Sequence, residues 1–154
     1  MKPTPRQELD AFLAKYTPEI EALARKVLAK MRTRLPGAVE LVYDNYNALA
    51  IGFGPTDRSS DAVFSIAIFP RWVSLFFLQG AKLKDPDGLL SGKGNQVRHI
   101  VLADASTLDR APVKALMRQA LANAPCSLDK KSPRRILIKS ISAKQRPRRP
   151  AKRV

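Results

Sequence analysis

Residues 64–102 read F-S-I-A-I-F-P-R-W-V-S-L-F-F-L-Q-G-A-K-L-K-D-P-D-G-L-L-S-G-K-G-N-Q-V-R-H-I-V-L, and their pattern decides the fold class. Two strongly apolar runs, Ala62–Phe69 and Trp72–Leu78, are joined by Pro70-Arg71, the pattern of a hairpin. Both parities of these runs are apolar, which predicts central strands with one face under helices and the other at least partly covered. A glycine-punctuated loop over 81–96 follows, and Val97–Leu102 reads as a further strand carrying Arg98 and the single histidine, His99.

Working outward, an earlier hairpin is predicted by Val39–Asp44 and Ala48–Phe53. Val39, Leu41 and Tyr43 alternate with Glu40, Val42 and Asp44, as in a half-buried strand, and Asp44-Asn45-Tyr46-Asn47 supplies the turn. Ahead of it lie two helices. Thr4-Pro5-Arg6-Gln7 carries a capping box with proline at the first helical position, and Leu9, Phe12, Leu13 and Tyr16 recur at helical spacing. Thr17-Pro18 repeats the start signal, Ile20, Leu23, Ala24, Val27, Leu28 and Met31 form one stripe, and Pro36-Gly37 stops the helix. After the last of the central strands, Ser106 with Asp109 predicts a cap for a third helix marked by Val113, Leu116, Met117, Ala120 and Leu121.

These elements predict an α+β domain over residues 1–124. Its N-terminal helix pair and C-terminal helix pack as a second layer on a mainly antiparallel sheet of about five to six strands. Residues 125–142 read as a linker with a possible added edge strand at Arg135–Ile141, and 143–154 as a basic disordered tail.

Charge divides the chain the same way. Residues 130–154 hold 11 of the 28 Lys and Arg and none of the 13 acids, so the first 129 residues are only mildly basic. The tail reads first as a solubilising appendage, with weak nonspecific nucleic-acid contact as the alternative. No run reaches the length of a membrane span, the N-terminus lacks a signal-peptide core, and a lone Cys126 suits a reducing compartment. The expectation is a cytoplasmic protein.

Motif by motif, enzymatic chemistry finds little footing. Gly88-Leu89-Leu90-Ser91-Gly92-Lys93-Gly94 resembles a phosphate loop, but the spacing is one residue short and a strand follows where a helix should begin. Asp85-Pro86-Asp87-Gly88 reads as a turn rather than a calcium loop, since Leu89 and Leu90 occupy ligand positions. His99 and Cys126 are too few for zinc or for a nucleophile–base pair. His99 reads as a sheet histidine. No enzyme, cofactor or metal is expected. The set with binding chemistry is aromatic and cationic: Tyr43, Asn45, Tyr46, Arg71, Trp72, Lys93 and Arg98, with Lys82 and Lys84 nearby. Aromatics among cations suit an anionic or planar ligand.

The central stretch also resembles the YdhG-like (YdhG/YdeI-like) family of bacterial domains of unknown function. The resemblance rests on Trp72–Phe77, Gly80-Ala81, Leu83, Asp85–Leu90, Gly92–Gly94 and Val97–Ile100. Tyr43–Asn47 and Phe69–Arg71 add to it, and it spans about residues 8–124. It implies helices on one face of a mainly antiparallel sheet, an architecture compared with frataxin, and a bacterial protein without assigned activity. Some members are labelled frataxin-like iron chaperones, so iron delivery for iron–sulfur assembly enters as an alternative. The leading expectation is a non-enzymatic domain that binds an anionic small molecule or protein partner.

Overall fold

The computed structural model describes residues 2–151. Among them are three α-helices and one six-stranded mixed sheet, an α+β fold. Helix α1 (Pro5–Leu13) begins as its sequence dictates: the Thr4 hydroxyl accepts from the Gln7 amide at 3.2 Å, and the Gln7 side chain accepts from the Thr4 amide at 2.9 Å. Helix α2 (Pro18–Arg34) starts under a Thr17 cap. It ends at Pro36-Gly37, where Gly37 has φ +82° and a Cβ would lie 1.9 Å from the Asp129 carbonyl oxygen. Only glycine fits so close an approach, and the 125–133 segment is seated against it.

Strands β1 (Val39–Asp44), β2 (Leu49–Gly54), β3 (Phe64–Ile68), β4 (Val73–Phe77) and β5 (Arg98–Leu102) form an antiparallel meander. Strand β6 (Arg135–Ile141) then returns to the far edge and pairs in parallel with β1, giving the order β5-β4-β3-β2-β1-β6. The register aligns Ile100, Leu75, Ile66, Ile51 and Val42 across the sheet. These residues share one core cluster with Leu9, Phe12 and Leu13 of α1, Ala24, Val27, Leu28 and Met31 of α2, and Val113, Leu116 and Met117 of helix α3 (Ala111–Asn123). Period 3.6 on the helices meets period 2 on the strands, and each supplies one apolar side.

Two local expectations are corrected. Alternation in β1 suggests Val39, Leu41 and Tyr43 as its buried side, yet the acid-bearing side joins the core: Val42 is in the cluster, and Glu40 and Asp44 are 2 % and 1 % exposed. Leu41 and Val39 are buried as well, because the β2–β3 connection folds over the opposite face and brings Ala62 against Gly52 and Gly54. The α3 cap also differs. Asp104 accepts from the Ser106 amide and caps a short 3₁₀ turn, Ala105–Asp109, while α3 starts at Ala111 with proline in its first turn. Asp109 is instead bound by Lys30 and Arg34 of α2, which fastens that turn to the helix.

The largest difference concerns the basic C-terminal segment. Its composition predicts disorder from residue 143, but residues 142–151 run across the end of the sheet. The Ser142 amide donates to the Asp44 carbonyl at 2.9 Å, and the Arg146 amide to the Tyr46 carbonyl at 2.8 Å. Composition misleads here because one arginine, Arg148, finds a buried carboxylate. Leu128, Ile136 and Ile138 likewise pack on the core, so 125–142 is more than a linker. The part of the expected tail at 152–154 lies outside the described residues.

Candidate functional site

Four elements converge at one end of the sheet: the α1–α2 turn, the β1–β2 turn, the β3–β4 turn and the C-terminal segment. Asp44, the last residue of β1, is their common anchor. Its carboxylate accepts from Arg148 Nη2 at 2.8 Å and from Lys15 Nζ at 3.3 Å. Both side chains of the Asp44–Arg148 pair are almost wholly buried, so in this low-dielectric setting losing either charge leaves the other poorly compensated. Arg148 also donates to the Tyr46 and Asn45 carbonyls, which fixes the β1–β2 turn, while its Nε is buried without a protein partner.

Tyr16 fixes the neighbouring strands. Its hydroxyl donates to the Ile68 carbonyl at 2.7 Å and accepts from the Leu49 amide at 3.2 Å. Burial holds its phenol above the ordinary value of 10.0, against the lowering effect of nearby Arg148. The Arg148 guanidinium lies 6.0 Å from the Tyr16 ring centre. The Arg148 guanidinium thus adds a buried anchor to the backbone bonds that Ser142 and Arg146 make to the β1–β2 turn.

Other arginines of this segment lie at the surface. Arg146 stands over the Tyr46 ring at 5.5 Å, and Arg149 Nε donates to the Lys15 carbonyl at 3.1 Å. Across from them the β3–β4 turn presents Trp72, 42 % exposed, with one ring face stacked on Phe69 at 4.7 Å and 20°. Between these elements lies an open groove of about 640 Å³, lined by Asn47, Phe69, Pro70, Trp72, Arg146 and Arg149 among others, with no acid among the described residues that line it. On the other side of Trp72 a second groove, about 730 Å³, carries Arg71 and Lys26 but also Glu19 and Asp104.

Of the residues singled out from sequence, Asn45, Tyr46, Arg71 and Trp72 meet at this end. The others do not. Tyr43 points to the opposite face of the sheet, where its hydroxyl bonds Ser59. Lys93 and Arg98 lie at the far end of β4 and β5, since Arg98 is paired with Phe77 and Val73 with Leu102. Arg98 Nη1 is consumed by the Gly94 and Val97 carbonyls, at 2.6 and 2.8 Å, and so holds its own loop. The 81–97 loop is organised in the same inward manner. Asp85 accepts from the Leu89 and Leu90 amides at 2.9 Å each, and Ser91 forms a two-way bridge with His99. His99 itself stacks on Phe76 with 5.1 Å between ring centres.

Asp44 and Phe69 escape sequence reasoning as site residues, and Arg146, Arg148 and Arg149 enter it only as undifferentiated members of the basic segment 130–154. The one available signal was Asp44 sharing its strand side with Val42, which places an acid among core residues and demands a cation. Among the described residues no group of three or more His, Cys, Asp or Glu side chains gathers as a metal site, and no helix is long and apolar enough to cross a membrane. Cys126 is exposed and free. What this end of the molecule can do chemically is hold negative charge and a flat surface. No family model, curated protein or solved structure matches this chain.

Proposed function

We propose that this chain is a non-enzymatic cytoplasmic binding domain of bacterial type that takes an anionic ligand or partner at the turn end of its sheet. The observation that carries the reading is the acid-free groove between Trp72 and the Arg146–Arg149 pair, with Arg71 just beyond Trp72. Several other arginines are spent on carboxylates: Arg25 on Asp10 and Glu21, Arg32 on Glu40, Arg34 on Asp109, Arg148 on Asp44. Those flanking Trp72 face solvent, where a charge-assisted hydrogen bond to an incoming anion is worth about 1.5–3 kcal/mol.

We read the fold as the two-layer YdhG-like, frataxin-like arrangement. Support comes from the single side of β2–β5 that clusters with all three helices. The iron-chaperone alternative would need free carboxylates on the helical surface. Asp10 and Glu21 are both held by Arg25 at 2.9 Å, and Glu8 and Glu19, which carry no ion pair among the described residues, sit on different helices, which favours the anion reading.

Titration of the full chain with inorganic polyphosphate at low salt tests the proposal calorimetrically. Saturable binding is expected, weakened about a hundredfold or more in Arg71→Glu/Arg146→Glu, in line with losing two charge-assisted contacts. Equal affinity in the double variant would reject the site. Truncation is a poor substitute, because removing residues 130–154 also removes β6 and the partner of Asp44.

A further inference from the structure

We infer that the acid-free groove is a platform for single-stranded nucleic acid, with one base stacked on Trp72 and the flanking phosphates on Arg146 and Arg149. This rests on the anion-binding reading and narrows it to one class of partner. Three features lead there. Trp72 is backed by Phe69, so its indole is held at a fixed angle and can receive a second planar group without first being ordered. Tyr46, 48 % exposed and capped by Arg146, offers a second aromatic surface at the adjoining turn. Arg146 and Arg149 flank Pro147 and the buried Arg148, and both are exposed while Arg148 is anchored inward.

A simple polyanion needs only the arginines. The stacked aromatics add a demand that unpaired bases meet. Within a duplex each base already has neighbours on both faces, so it cannot lie on Trp72 without being pulled out of the stack. Neither an anionic membrane nor an acidic peptide supplies a series of planar groups spaced by negative charge. The groove is open rather than enclosed, which suits a strand passing through and not a small ligand swallowed whole.

Trp72 is the only tryptophan in the chain, so its emission reports on the site directly. The experiment uses the full chain with labelled oligo(dT) and oligo(rU) of about twelve nucleotides, within the range one small domain covers. A duplex of equal length, inorganic polyphosphate and vesicles of anionic phospholipid run in parallel. Expected are quenching of Trp72 by the single strands and tighter binding of single strand than duplex. Trp72→Ala should weaken single-strand affinity about tenfold by anisotropy, with Trp72→Phe between the two. Arg146→Ala/Arg149→Ala should lower the slope of log affinity on log salt by about 1.4, near 0.7 for each lost contact to a single strand. Preference for oligo(rU) over oligo(dT) would assign the site to RNA and the reverse to DNA.

Duplex binding as tight as single strand, with Trp72 emission unchanged, overturns the platform while leaving the anion site standing. Vesicle binding without oligonucleotide binding overturns it in favour of a membrane surface. If neither polyphosphate nor any oligonucleotide binds at low salt, the anion reading fails together with the platform.

Discussion

The two ends of β1 solve one problem in opposite ways. At its start Glu40 is buried among core residues and is gripped by Arg32 through two bonds, 2.9 and 2.8 Å, from only 8 residues away. At its end Asp44 is equally buried, but its arginine is 104 residues distant. The first pair closes a helix onto the strand that follows it and does nothing else visible. The second draws a whole charged segment over the core, and with it the arginines that face Trp72. Two buried carboxylates of similar setting therefore serve different ends, because one finds its cation locally and the other from afar.

The comparison breaks first at Arg32. Replacing it by Met leaves Glu40 without a cation, and a cost of about 3–5 kcal/mol is expected in urea unfolding. Arg148→Met should cost less, about 3 kcal/mol, because Lys15 remains 3.3 Å from Asp44. Its distinguishing outcome is local: amide protection of Arg146 should collapse while that of β2 and β3 survives. An Arg148→Met variant no weaker than a surface substitution would mean that the segment is not anchored by this pair. The double variant Asp44→Leu/Arg148→Met sharpens the contrast, since removing both charges should recover most of the loss in stability without restoring polyphosphate affinity.

A smaller effect belongs to Tyr16, which lies beside the second pair only. Its folded phenol holds the proton more firmly than the unfolded chain does, through burial. Below the ordinary value of 10.0 both states keep the proton and stability is unaffected. Above it the unfolded chain ionises first, so stability should decline as pH rises, and Tyr16→Phe should flatten that decline in an alkaline unfolding series.

How much of this was legible in the sequence follows from the range of each interaction. The capping box at Thr4 and Gln7, the hairpins, the added strand at Arg135–Ile141 and the stop at Gly37 are set by residues near in the chain, and all are found in the structure. Asn45, Tyr46, Arg71 and Trp72 fall at one end of the sheet because they belong to two turns on that side. Arg98 and Lys93 looked equally suitable by composition. Only strand order shows that they lie at the other end, with Arg98 bound to its own loop. The segment after Ser142 was the hardest to read. Its proline and arginine content is that of a disordered tail, and a single long-range charge pair outweighs that composition.

The Asp44–Arg148 pair also bears on how this protein is made. A ribosome delivers the chain from its N-terminal side, so the β1–β4 meander can form well before Arg148 emerges. Until then Asp44 has only Lys15 as a cation partner. A product cut short anywhere before residue 148 would keep that flaw permanently. Such fragments should unfold more readily than the chain that carries the pair, and so be degraded faster.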